Sequence, residues 1–165
     1  AFIDGYSKAG IKANEVFNFT NTHLCENNAS GMFVTSFIGI INLETGEMEC
    51  VNAGHCIPLI VDEDGCRYQR FEPDLFLGGM DDTKYTLHKM NINKGSRIIL
   101  YTDGVIEAMD NKEELYGENR LLNYVQAHTT SSQEELLTGI NDDIRMFANG
   151  YEQNDDITLL IIDYK

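Results

Sequence analysis

The sequence feature that most constrains the fold is a short apolar run that ends at a carboxylate. In the stretch Arg97–Met109 (RIILYTDGVIEAM), the apolar residues Ile98–Tyr101 are followed by the break Thr102–Gly104 and then by a segment of helical composition. An apolar run of this length, bounded by turn signals, is typical of a buried strand. The sequence therefore predicts that Asp103 lies at a strand-to-helix corner.

Two interpretations of Asp103 stay open at this level. Catalytic and metal-binding groups collect at such corners, because the strand fixes the side chain while the loop leaves it open to ligands. Aspartate is also a favoured helix N-cap, which would give Asp103 a purely structural role.

The acids Asp155-Asp156 stand at the entrance of the last predicted strand, Asp156–Ile162. If that strand and the one before Asp103 are antiparallel neighbours, the acids share one edge of the sheet. Carboxylates held close together must be neutralised by a proton or a cation, and Mg²⁺ or Mn²⁺ is the cation that suits solvent-facing carboxylates. Two such ions about 4 Å apart activate water for attack on phosphorus. The alternative is that the acids only begin a strand.

His55 is a further candidate, because Ala53-Gly54 lets the chain bend after a strand and projects the imidazole from a turn. A single histidine is more often a hydrogen-bonded structural residue than a ligand.

The rest of the pattern predicts an α+β domain. A first helix ends near Asn28, begins abruptly at Ala1–Ile3 and has Asn14 as a candidate N-cap; an interior strand follows at 32–41. The turn Asn42–Gly46 predicts an antiparallel hairpin. The later helices are expected at 117–127 and, capped by Ser131 or Ser132, up to 149–150.

Composition narrows the classes of function. A chain of 165 residues is long enough for one domain, and a formal charge of −15 argues against a nucleic-acid partner. No apolar run approaches the ~20 residues that span a bilayer, so we expect a soluble, cytoplasmic protein. Its four cysteines form no CxxC pair, which disfavours a zinc site.

Three segments together resemble a known family. They are Phe33–Phe37 with Val51–His55, Leu100–Ala108 with Leu115–Gly117, and Asp155–Leu160. In order and spacing they are similar to the SpoIIE/RsbU-type serine phosphatases, which belong to the metal-dependent (PPM) protein phosphatases, and the match covers nearly the whole chain.

The resemblance implies a β-sandwich of mainly antiparallel strands flanked by helices. It also implies two Mn²⁺ or Mg²⁺ ions at one edge and hydrolysis of phosphoserine or phosphothreonine by metal-activated water. The implied substrate is a bacterial signalling phosphoprotein of the anti-sigma-factor antagonist type.

Matched position by position, the resemblance makes Asp103 and Asp155 metal ligands, and hence catalytic through the activated water. Asp156 and Gly104 are neighbouring candidate ligands, and Glu107 with His55 are weaker auxiliary candidates.

The departure from the family lies at the front of the chain. The Gly-Gly-Asp-type motif and the Asp/Gly-His-Gly segment, which supply further ligands, are missing. We therefore expect residues 1–165 to form a single partial domain with feeble or no activity. Missing strands would leave an exposed sheet edge, which invites a homodimer.

Two alternatives of other classes remain. One is a non-catalytic interaction module of a signalling protein. The other is a receiver-like domain with Asp103 as phospho-acceptor, which the antiparallel pattern disfavours.

Overall fold

The computed structural model describes residues 11–72, 74–153 and 155–165, in two compact units. The first unit comprises Ala1–His55 and Phe71–Ile92, and the second comprises Cys56–Arg70 and Asn93–Lys165. The predicted helix start at Ala1–Ile3 lies outside the described residues. A single domain over residues 1–165 stays a prediction.

The first unit has one helix and a three-stranded antiparallel sheet in the order β1-β2-β5. The elements are α1 (Ala13–Glu26), β1 (Ser36–Ile41), β2 (Glu47–Ala53) and β5 (His88–Asn91). The hairpin predicted between β1 and β2 is confirmed. Its turn closes through Asn42 N, which donates to Glu47 O at 2.8 Å, and Gly46 adopts a φ of 76° that glycine accepts without strain.

The core of the first unit forms where α1 packs against β2. Phe17 meets Tyr85 edge to face, with ring centroids 5.6 Å apart. The buried Asn21 side chain donates to Met80 O and accepts from Gly78 N. It therefore holds the loop at residues 78–80 against α1. The buried members of this core are Ala13, Phe17, Val51, Ala53, Leu77 and Tyr85.

Two sequence predictions in this unit are wrong. Helix α1 has Lys12, not Asn14, at its N-cap, because the Glu15 carboxylate accepts the Lys12 backbone N–H at 3.3 Å. Among the described residues, the strand expected to be interior stands at the edge of its sheet and starts only at Ser36, and Met32 before it is 74% exposed. An apolar run predicts a strand, but its place in the sheet depends on partners far away in sequence.

The second unit contains a four-stranded antiparallel sheet in the order β4-β3-β6-β7. Its strands are β3 (Leu59–Asp62), β4 (Gly65–Tyr68), β6 (Arg97–Tyr101) and β7 (Leu159–Asp163). Its helices are α2 (Asp103–Ile106), α3 (Gly117–Ala127) and α4 (Gln133–Ala148).

One face of this sheet is covered by α3 and α4. Helix α4 begins with the predicted capping box: Ser132 Oγ accepts the Glu135 N–H at 3.2 Å, and the Glu135 carboxylate accepts the Ser132 N–H at 2.8 Å. The buried residues of the core are Leu59, Val61, Ile99, Tyr101, Val105, Ala108, Tyr116, Leu121, Val125, Leu136, Ile140 and Ile144. This core anchors the C-terminal end of β6, where Asp103 follows.

The predicted α+β class with mainly antiparallel strands is confirmed. Among the helices of the described residues, none combines the length and the hydropathy needed to cross a membrane.

Candidate functional site

The candidate site lies where β6 ends and β7 begins. The two strands pair antiparallel, with Tyr101 opposite Leu159, so the segment after β6 and the segment before β7 leave the sheet at the same edge. These segments carry Asp103 and Asp155-Asp156. The predicted meeting of the two strand ends is therefore confirmed.

Thr102 ties the two segments together. Its backbone N–H donates to Thr158 O at 3.1 Å. Its hydroxyl donates to Asp156 O at 2.8 Å and accepts the Thr158 N–H at 2.9 Å. These bonds extend the strand pairing by a further step, so the loop before β7 has a fixed position beside Asp103.

Gly104 permits a close approach of the two backbones. A Cβ atom at this position would lie 2.6 Å from Asp156 O, which is closer than real contacts allow, and 3.1 Å from Asp155 O, which is tight. Glycine is thus required here by space, and Gly104 itself is buried. The absence of a side chain lets the Asp155-Asp156 backbone lie directly against the start of α2.

Gln153 forms the third connection. Its side-chain Nε2 donates to Gly104 O at 3.1 Å and to Asp155 O at 2.9 Å. The carbonyl of Gly104, a candidate metal ligand, therefore already accepts a hydrogen bond from the protein.

The carboxylates themselves face solvent. Asp103, Asp155 and Asp156 are all exposed. One oxygen of Asp103 accepts the Gly104 N–H at 3.1 Å, and one oxygen of Asp155 accepts the Asp156 N–H at 2.7 Å. No ion pair among the described residues joins these three acids to a Lys, Arg or His. Within the described part of the chain, the three carboxylates thus have fixed backbones and no cationic side chain to neutralise them.

The N-cap interpretation of Asp103 is wrong. The cap position of α2 is held by Thr102, and Asp103 is the first helical residue. Its carboxylate remains available for another partner.

A cavity of about 350 Å³ opens beside the acids. Glu107 and Asp155 give it negative charge, and Met109 and Leu115 give it apolar walls. The Met109–Leu115 loop is held in shape by Asp110, whose carboxylate accepts the N–H groups of Lys112 and Glu114 at 2.8 and 3.0 Å. The full lining is Gly104, Glu107, Met109, Leu115, Gln153 and Asp155.

The negative charges of this region also act on the thiol of Cys56. Its pKa is raised to about 11, first by burial and then by the charges of Asp103, Glu107 and Glu118. Of these causes, burial disfavours any charge, and only the negative charges of the three acids would also favour a cation.

The described residues do not complete a metal cage by themselves. No group of three or more His, Cys, Asp and Glu side chains in that part of the chain is arranged to hold a metal ion. The arrangement supplies two fixed carboxylates, with Asp156 and Glu107 in the same unit.

His55 belongs to the first unit, whereas the acids belong to the second. It ends a turn in which Asn52 accepts the His55 N–H at 2.7 Å and donates to His55 O at 2.9 Å, and Gly54 has a φ of 68°. Its ring Nδ1 lies 3.4 Å from the Thr35 hydroxyl. These contacts fit the structural interpretation, and an auxiliary role for His55 stays a prediction.

Sequence reasoning missed Thr102 and Gln153. A hydroxyl directly before Asp103 was a usable signal for Thr102, since threonine commonly bonds neighbouring backbone groups at strand ends. Nothing in the local sequence distinguishes Gln153 from a solvent-exposed loop glutamine.

Comparison with known proteins gives concordant results. The family model for stage II sporulation protein E (SpoIIE) matches residues 1–165. The phosphoserine phosphatase RsbU of Bacillus subtilis is 26% identical over 161 residues, which cover 97% of this chain and 48% of RsbU. The chain spans between 25% and 48% of the length of the curated relatives it matches.

Solved structures show the same fold. The SiaA-PP2C domain of Pseudomonas aeruginosa matches with a TM-score of 0.85 at 14% identity, over 100% of this chain and 66% of that one. The catalytic domain of the serine/threonine protein phosphatase PstP, solved in complex with two manganese ions, matches with a TM-score of 0.66 at 11% identity, over 90% of this chain and 68% of that one. The fold predicted for PPM-type phosphatases is therefore confirmed, and the chain belongs to the stage II sporulation protein E (SpoIIE) family.

Proposed function

We propose that this chain is part of a Mn²⁺- or Mg²⁺-dependent protein serine/threonine phosphatase. The observation that carries the proposal is a pair of exposed carboxylates, Asp103 and Asp155, on the two segments that meet at the end of the β6–β7 pair, without an ion pair to any described residue. The relative RsbU is a phosphoserine phosphatase, which supports the same reaction here.

The donors present fit a hard divalent cation. Mg²⁺ keeps several waters and is usually bound through one or two carboxylates together with substrate phosphate, so it does not need an all-protein cage. Asp103 and Asp155 supply those carboxylates, and Asp156 and the Gly104 carbonyl are the neighbouring oxygen donors. The manganese ions of the PstP structure support the same choice of metal.

Within this proposal the protein residues have separate tasks. Asp103 and Asp155 would hold the cation through carboxylate oxygens, while Thr102 and Gly104 keep their backbones in place. A bound Mn²⁺ or Mg²⁺ supplies an activated water and stabilises negative charge on the phosphoryl group. Without such a cation the acids would repel a phosphate ester, because they carry the same sign of charge. The adjoining cavity gives the ester a way in beside Glu107.

The proposed substrate is a phosphoserine or phosphothreonine on a bacterial signalling protein of the anti-sigma-factor antagonist type. Support comes from RsbU, named a phosphoserine phosphatase, and from the family resemblance. A cytoplasmic location and a homodimer through an exposed strand edge stay predictions.

The test is a calorimetric Mn²⁺ titration of the chain and of Asp103→Asn, followed by Mn²⁺-dependent hydrolysis of a phosphoserine peptide. We expect Asp103→Asn to abolish measurable Mn²⁺ binding and any turnover. Asp64→Asn, which changes an exposed turn acid in the same unit, is the matched control and should bind Mn²⁺ like the unmodified chain.

Equal Mn²⁺ affinity in Asp103→Asn and the unmodified chain would contradict the proposal. Partner binding without any dependence on metal would instead support the interaction-module alternative.

A further inference from the structure

Gln153 is an exposed loop residue whose side-chain hydrogen bonds to the described residues end at the candidate site. Its Nε2 donates to the carbonyl of Gly104 in α2 and to the carbonyl of Asp155 before β7. One nitrogen atom therefore joins the two segments that carry the acids.

The contacts of Gln153 differ in kind from those of Thr102. Thr102 lies next to the strand pair and continues its ladder to Asp156 and Thr158. Gln153 lies outside this ladder and precedes Asp155 in sequence, whereas the partners of Thr102 follow Asp155. The Asp155 backbone is thus held between two sets of hydrogen bonds.

We propose that Gln153 is a positioning residue. It fixes the Asp155 backbone against the start of α2 and so sets the affinity of the Asp103–Asp155 pair for a divalent cation. The cation rests on the proposed function, whereas the positioning itself is a property of the metal-free chain.

The chemistry of the carboxamide explains why glutamine is suited to this task. A carboxamide nitrogen has two N–H donors, and both acceptors here are backbone carbonyls. An ionised glutamate has nearly the same shape but only acceptor atoms, so it would repel both carbonyls. Gln153→Glu therefore removes the hydrogen bonds while retaining the length and volume of the side chain.

The Gly104 carbonyl gives a second reason to expect a local effect when the Gln153 side chain is removed. Gly104 is buried, and a buried carbonyl that loses its partner costs free energy. Loss of the Gln153 donor should therefore loosen the start of α2 as well as the loop before β7, although Gln153 itself contributes little apolar burial.

The first arm of the test is amide hydrogen exchange of the metal-free chain. In Gln153→Ala and Gln153→Glu we expect faster exchange in the segments 103–106 and 155–158, with unchanged exchange in β3 and α4. Unchanged exchange in both segments would overturn the proposal, whether or not the chain binds metal.

The second arm is the Mn²⁺ titration of the same variants. We expect Gln153→Ala to weaken Mn²⁺ binding by about tenfold, because groups that orient metal ligands typically contribute tenfold to a hundredfold in affinity. Affinity equal to that of the unmodified chain would overturn the positioning role.

The matched control is Gln133→Ala. Gln133 is also exposed, and its Nε2 also donates to a backbone carbonyl of the second unit, Ile161 O in β7, at 3.1 Å. Its removal should leave both the exchange of residues 155–158 and the Mn²⁺ affinity unchanged. An equal loss of affinity in this control would show a general effect on the sheet and would overturn the specific assignment to Gln153.

The two arms separate this inference from the proposed function. If the unmodified chain binds no Mn²⁺ but Gln153→Ala still speeds local exchange, the positioning stands and the metal proposal fails. If Mn²⁺ binds and none of the Gln153 variants changes its affinity, the positioning role fails and the metal proposal stands.

Discussion

The two ends of the β6–β7 pair hold acidic side chains in opposite ways. At one end Arg97 lies opposite Asp163, and its guanidinium donates to both carboxylate oxygens at 2.6 and 3.0 Å. At the other end Asp103 and Asp155 are exposed and form no ion pair with a described residue. One end of the strand pair thus carries a neutralised carboxylate, and beyond the other end, six residues after Arg97, lie carboxylates that form no ion pair with a described residue.

Under the proposed function, this contrast assigns stability to one end of the strand pair and cation binding to the other. The Arg97–Asp163 pair is largely enclosed, with side chains 11% and 22% exposed, and Arg97 also donates to Ser131 O at 2.9 Å. Its geometry is bidentate, which is the stronger form of such a pair. At the Asp103 end the hydrogen bonds go mainly to the backbone of the segments that carry the acids, so the acids keep the negative charge that the proposed cation would need.

The largest expected effect is at the Asp103–Asp155 end of the β6–β7 pair. Asp155→Asn should weaken Mn²⁺ binding by more than about a hundredfold, since loss of a ligand costs more than loss of a group that orients one. Its free energy of unfolding without metal should change by no more than about 0.5 kcal/mol, as for other exposed substitutions. Calorimetry and urea unfolding measure the two quantities. A large loss of stability would show that the Asp103–Asp155 end also supports the fold.

The next effect is on the contact between the two segments. Gly104→Ala places a Cβ 2.6 Å from Asp156 O, so the loop before β7 must move. We expect a loss of roughly 3 kcal/mol in the free energy of unfolding, at the upper end of the range for overpacked sites. Mn²⁺ affinity should fall together with stability. Wild-type values for both would mean that the loop can shift without consequence.

At the Arg97–Asp163 end we expect the opposite result, a loss of stability without a loss of Mn²⁺ binding. Arg97→Met should cost about 2 kcal/mol in unfolding free energy, because it leaves the Asp163 carboxylate, only 22% exposed, without its charged donor. Mn²⁺ affinity should stay unchanged. A variant that keeps its stability but loses Mn²⁺ binding would break the proposed division between the two ends.

The smallest effect is on the pH dependence of stability. Hydrogen bonds from Arg97 lower the pKa of Asp163 below its ordinary value of 3.8. The pair therefore stabilises the protein fully above the unfolded-state pKa, and this stabilisation is lost as pH falls through the lower folded-state pKa. Urea unfolding between pH 2 and 6 should show a shallower acid decline in Asp163→Asn than in the unmodified chain. Parallel curves would contradict this.

The sequence was sufficient to predict what local pattern controls. Asp103 at a strand end, the hairpin at Asn42–Gly46 and the Ser132 capping box all follow from neighbouring residues, and all three are confirmed. The meeting of Asp103 with Asp155 needed one more step, the antiparallel pairing of two predicted strands.

Features that depend on distant partners were not predicted. The edge position of β1 is decided by the pairing of β2 and β5. The Arg97–Asp163 ion pair was also not predicted, but it could have been. The antiparallel pairing of the two strands was expected, and it places these residues opposite each other. The bonds of Gln153 were not, because the conformation of a loop decides which carbonyls its carboxamide meets.

The hydrogen bonds that join the Asp155 loop to the neighbouring segments end on backbone atoms: the carbonyls of Gly104, Asp155 and Asp156 and the N–H and C=O groups of Thr158. The side chain of Asp155 adds one local bond, in which its carboxylate accepts the Asp156 N–H at 2.7 Å. The course of the loop therefore depends more on Thr102 and Gln153 than on the charge at residue 155. Asparagine retains a side-chain oxygen that can accept the Asp156 N–H, so it is the substitution that separates the charge of residue 155 from the position of its backbone.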